Sequence, residues 1–98
     1  MLVVSFAAAP SEIGQLVRQA RRWMTASAQD NEPAIAVLHA NYGVATVDAV
    51  RQIAQDSAIQ RAAGVTGDEL LRAATRTQDT ANARLLARCP GLAPRQPR

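Results

Sequence analysis

Apolar side chains recur at helical spacing in three stretches of this 98-residue chain. In the first, over 11–28, Ile13, Leu16, Val17, Ala20, Trp23, Met24 and Ser27 fall on one arc at about 100° per residue. Arg18, Arg21 and Arg22, with Gln15, fall on the opposite arc. Ser11 is the expected N-cap, and Glu12 suits the positive end of the helix dipole. The run Gln29-Asp30-Asn31-Glu32-Pro33 then breaks the pattern with turn residues and a proline.

The second stretch covers 33–62 and starts with Pro33 in the first turn, where a missing N–H costs nothing. Its predicted inner stripe is Ile35, Leu38, Tyr42, Ala45, Ala49 and Ile53, flanked by His39, Thr46 and Val50. Asn41, Asp48, Arg51, Gln52 and Gln55 are expected to face away. Gly43 lies inside the pattern, at a cost of about 1 kcal/mol against alanine, and marks a kink or a close helix crossing. Asp56 or Ser57 is expected to cap a short continuation through Ala62, which Gly64 ends.

The third stretch is 66–88. Thr66 and Glu69 form a capping box, the strongest local start signal in the chain. Leu70, Ala74, Thr77, Ala81 and Leu85 make its inner stripe, with Leu71 and Gln78 beside them. Asp68 and Arg72 stand at i,i+4 with the acid first, the favourable order. Arg88 suits the negative end, and Cys89-Pro90-Gly91 stops the helix.

The ends do not share this periodicity. Residues 1–10 form an apolar arm, in which Val3, Val4 and Phe6 favour a strand and three alanines favour a helix. A signal-peptide reading of the arm lacks a basic start and places Pro10 after the alanines, so the arm is read as mature chain. Residues 91–98 carry prolines and arginines and are expected to be irregular. The predicted fold is therefore all-α, a small three-helix or helical-hairpin domain over 11–90.

Composition changes this picture in one respect. Of the 47 apolar residues, 21 are alanine and three are aromatic, and Leu, Ile, Val and Phe together number 21. Alanine lets helices approach closely but buries little surface. Pairs four apart, Ala36 and Ala40 or Ala45 and Ala49, and the series Ala54, Ala58 and Ala62, suit close helix contact. So thin a core in so small a domain is expected to draw stability from copies of itself or from another protein. The arm and the alanine-rich surfaces would make those contacts.

Charge narrows function only slightly. The chain has 11 arginines, no lysine, eight acids and a net charge of +3. That balance is too mild to imply nucleic acid by itself. A lysine-free chain reads first as the coding bias of a GC-rich genome, and second as selection for the forked guanidinium. Arg18, Arg21 and Arg22 are the best phosphate-gripping candidates, but the stacking aromatics of single-strand binders and any helix-turn-helix pattern are lacking. One cysteine, Cys89, leaves no disulfide within these residues and points to a reducing, cytoplasmic compartment. No apolar run approaches a membrane span.

Candidate chemistry is sparse. One histidine and one cysteine cannot make a structural zinc site within one chain, and phosphate-loop, dinucleotide and nucleophile-elbow motifs are absent. No cofactor is expected. Cys89, at a helix C-terminus, is at the wrong end to stabilise a thiolate and reads as a packing residue. His39 and Tyr42, one turn apart, are candidates for a ligand groove. Their structural reading has His39 bonded to a carbonyl and Tyr42 packed with its hydroxyl outward. Asp30 and Glu32 are expected to meet nothing reactive. The expected role is a non-catalytic assembly or adaptor protein, with Val3, Val4, Phe6 and the three arginines as contact residues. The alternative is a small nucleic-acid-associated regulator using Arg18, Arg21 and Arg22. A third reading is an enzyme or ligand binder with a subunit-interface site around His39 and Tyr42.

Overall fold

The computed structural model describes residues 8–93 as four α-helices and a closing turn. The helices are α1 (Pro10–Gln29), α2 (Pro33–Ile53), α3 (Asp56–Ala63) and α4 (Gly67–Arg88), followed by a 3-10 turn at Pro90–Leu92. Among the described residues there is no strand, and the fold is all-α. The arm residues Val3, Val4 and Phe6 lie outside the described residues. Of the arm's remainder, Ala8 packs on the core and Pro10 opens α1.

Three residues, 30–32, join α1 to α2, so the two helices pack as an antiparallel hairpin. α4 lies along the other side of α2, which makes α2 the central helix. The core runs through Ile13, Val17 and Ala20 of α1, Val47 and Val50 of α2, Ile59 of α3, and Leu70 and Ala74 of α4. A second cluster, Ala36, Ala40 and Ala81, seals α2 against α4 at the other end.

The stripes predicted for α1 and α4 face inward as expected. That of α2 does not. Ile35, Leu38, Tyr42 and Ile53 are 41–44% exposed, and Ala45 and Ala49 are exposed too. The buried side is Pro33, Ala36, Ala40, Gly43, Val47 and Val50. The reason is crowding: a central helix meets neighbours on two sides, and close approach selects its smallest side chains. Gly43 marks a close crossing. A Cβ there would stand 3.5 Å from Met24 Cγ and 3.6 Å from Trp23 Cβ, so α1 rests directly on this point.

Helix starts follow backbone geometry more than side-chain capping. Pro10 at the first position places Ala9, not Ser11, at the N-cap of α1, without a side-chain cap bond. The break after Ile53 is real, but Gln55 holds the N-cap of α3, and Asp56 is already helical. Extended φ/ψ at Ala54 and Gln55 redirect the chain. On an unbroken α2, Ile59 would point about 130° away from the buried side. After the break it is fully buried. Gly64, at φ 74°, ends α3 in the left-handed conformation that glycine adopts without strain.

Of the capping box predicted for α4, the Thr66 side-chain half forms, while Glu69 meets the Thr66 hydroxyl in place of its backbone N–H. The Glu69 N–H donates to Thr66 Oγ1 at 3.0 Å, and that hydroxyl donates to Glu69 Oε1 at 3.1 Å. Replacing Thr66 with alanine is expected to cost about 1 kcal/mol, read as a lower urea midpoint with unchanged helicity. Serine at this position should retain most of the stability.

Candidate functional site

The only clustered aromatic and titratable chemistry among the described residues lies where α1 meets the first half of α2. Trp23 comes from the inner arc of α1, His39 and Tyr42 from successive turns of α2, and Asp30 from the connecting loop. The His39 ring stacks on Trp23 with centroids 5.3 Å apart and planes 29° apart. Tyr42 meets the same indole edge-on at 4.9 Å. His39 Nδ1–H donates to Asp30 Oδ2 at 2.6 Å, with both side chains 23% exposed.

This geometry corrects two expectations. His39 bonds a carboxylate where a carbonyl was expected, and Asp30 has a partner where none was foreseen. The residues are nine apart in sequence, and only the tight loop brings them together. Tyr42 is half-exposed, in keeping with a ring that packs on one side and faces water on the other.

A polar clamp fixes the loop behind this pair. Buried Ser27 donates its Oγ–H to the Ala36 carbonyl at 2.7 Å. From α4, Arg84 Nη2 donates to the Asp30 carbonyl at 2.6 Å, with Nη1 3.4 Å from the Ser27 carbonyl. Arg88 Nη1 approaches Glu32 Oε1 at 3.6 Å, an exposed pair of small energetic weight. Ser27 and Arg84 were not legible as partners, because their acceptors are backbone carbonyls that carry no sequence signal.

A histidine held by a carboxylate is half of a proton-transfer arrangement, since that bond fixes the tautomer and frees Nε2. The other half needs a nucleophile or substrate group within reach. Cys89, expected to pack, is instead exposed at the end of α4, and among the described residues it forms no hydrogen bond to His39. Groups of three or more His, Cys, Asp or Glu side chains able to hold a metal are absent among the described residues. No described helix is long and apolar enough to cross a membrane. Among the described residues the cluster is a polar and aromatic edge that joins α1, α2 and their connecting loop.

Beside that edge lies the exposed side of α2. Between α1 and α2 a groove of about 480 Å³ is lined by Leu16, Gln19, Trp23, Tyr42, Ala45 and Ala49. Arg18, Arg21 and Arg22 stand exposed on the outer side of α1, as predicted. Comparison with protein-family models, curated proteins and solved structures finds no match to this chain.

Proposed function

We infer that this chain is a non-catalytic assembly or adaptor protein whose contact surface is the outer side of α2. One observation carries this reading. Of the five large apolar side chains that stand exposed among the described residues, four are on α2: Ile35, Leu38, Tyr42 and Ile53. Solvent-facing helix sides are normally charged, and those of α1 and α4 are, through Arg18, Arg21 and Arg22 and through Asp68, Arg72, Arg76 and Asp79. Of the exposed residues of α2 from Ala34 to Ile53, two are charged, Asp48 and Arg51, and both lie off the apolar stripe. A contiguous apolar stripe rimmed by polar residues is the signature of a contact site.

A second reading, a nucleic-acid-associated regulator, draws on the three α1 arginines. Among the described residues none of them is in an ion pair, so all are free to meet phosphate. One experiment separates the two. A photo-cross-linking amino acid is placed at position 38, 22 or 76 of the full chain in the producing cells. Protein adducts specific to position 38 are expected. Nucleic-acid adducts from position 22, with none to protein from position 38, would reverse the ranking. In that event, exchanging Arg18, Arg21 and Arg22 for glutamine should flatten the salt dependence of binding by about one unit per lost contact. The narrower reading of a subunit-interface site at His39 and Tyr42 draws on the Asp30–His39 bond alone.

A further inference from the structure

We propose that the outer side of α2 takes a second copy of this chain, packed antiparallel about a two-fold axis that passes between Gly43 and Val44. This rests on the assembly reading above and names its partner. The positions Ile35, Leu38, Tyr42, Ala45, Ala49 and Gln52 recur at alternating three- and four-residue steps, the seam spacing of paired helices. All six are exposed.

Side-chain size along that seam is graded. The first half carries isoleucine, leucine and tyrosine, and the second half carries two alanines and a glutamine. A parallel partner would set large against large at one end and leave alanine facing alanine at the other. A two-fold axis between residues 43 and 44 sets Tyr42 opposite the other copy's Ala45, Leu38 opposite its Ala49, and Ile35 opposite its Gln52. The Tyr42–Ala45 and Leu38–Ala49 layers then each hold one large and one small side chain, which is how facing layers interdigitate, while the outermost layer lays Ile35 against the aliphatic stem of Gln52.

The groove supplies independent support. Its α2 side is Tyr42, Ala45, Thr46 and Ala49, and its α1 side is Leu16, Gln19 and Trp23. The two-fold directs the second copy's Tyr42 and Leu38 toward Ala45 and Ala49 on the α2 side. The same operation sets Asp48 beside the other copy's Asn41 and brings no two carboxylates together. The contact is isologous, so it closes at two copies. The seam is about 27 Å long. One helix width of contact over that length falls near the lower bound of specific interfaces, about 1,000 Å² in total. That size suits a reversible dimer.

The test uses the full chain with Cys89→Ser, which removes the one exposed thiol. Molar mass by light scattering at tens of micromolar is expected to be twice that of the chain. Leu38→Glu occurs twice per two-fold contact, so it should weaken the dimer by about 100-fold or more while helicity is kept. An equal mixture of Leu38→Cys and Ala49→Cys chains is then oxidised. Disulfides joining one variant to the other are expected to dominate. A monomer at these concentrations, a dimer indifferent to Leu38→Glu, or self-linked Leu38→Cys pairs would each overturn the proposal. A monomer whose position 38 still cross-links to a different protein in cells would sink the second copy and leave the assembly reading standing.

Discussion

Replacing Ile59 with alanine is expected to lower stability by about 3 kcal/mol and to release α3 from the bundle. The side chain is fully buried, and it is the one buried residue of α3. Removing three carbons from a core site loses their transfer energy and leaves a cavity, together about 2–5 kcal/mol. A domain of this length has about 5–15 kcal/mol to lose, so the effect is a large fraction of the whole. Urea denaturation should show the shift, and amide exchange should quicken across 56–63 ahead of the rest. Ile35→Ala provides the control, because Ile35 is 41% exposed. Measured where copies do not associate, that change should stay within about 0.5 kcal/mol. Equal costs for the two isoleucines would mean that the inner and outer sides of the domain have been misassigned.

Ala40→Leu is expected to be nearly as damaging, through the opposite fault. Ala40 is buried with Ala36 and Ala81, where the buried residues of α2 and α4 are all alanine, with Val37 packed beside them. Interhelical distance is set by the side chains at the contact, and three added carbons must push the helices apart or strain their rotamers. Overpacking of this kind costs about 1–3 kcal/mol, and the shared contact of α2 with both neighbours places it at the upper end. The outward Ala45→Leu adds the same carbons without that cost to the single chain. Thermal unfolding of both variants at low concentration should separate them by several degrees. Indistinguishable melting curves would contradict the close α2–α4 contact.

The polar clamp and the aromatic edge have a different standing. Cap and turn chemistry was visible at Thr66 and Glu69, where both partners lie within one turn, and at Gly64, where glycine alone fits, but not at the starts of α1 and α3, where Ser11 and Asp56 or Ser57 do not cap. The Asp30–His39 pair and the Arg84 bonds span nine and 54 or more residues. They follow from how the hairpin closes and how α4 returns to it. Local spacing holds no information about either.

By itself, then, the sequence determined an all-α chain, three main helices, the break before α3, and the inward sides of α1 and α4. Each of these follows from local forces: periodic apolar positions, proline and glycine geometry, and a capping box. For α2, periodicity points to the larger apolar face, Ile35, Leu38, Tyr42, Ala45, Ala49 and Ile53, as the inward one over the smaller face of Ala36, Ala40 and Gly43, and that choice is overturned. Tertiary structure decided between them. α1 and α4 both press on α2, and helices held that close accept Ala36, Ala40 and Gly43 where Ile35, Leu38 and Tyr42 would hold them apart. The larger side chains were turned outward by the packing of the smaller ones, and the surface read here as a contact site exists for that reason.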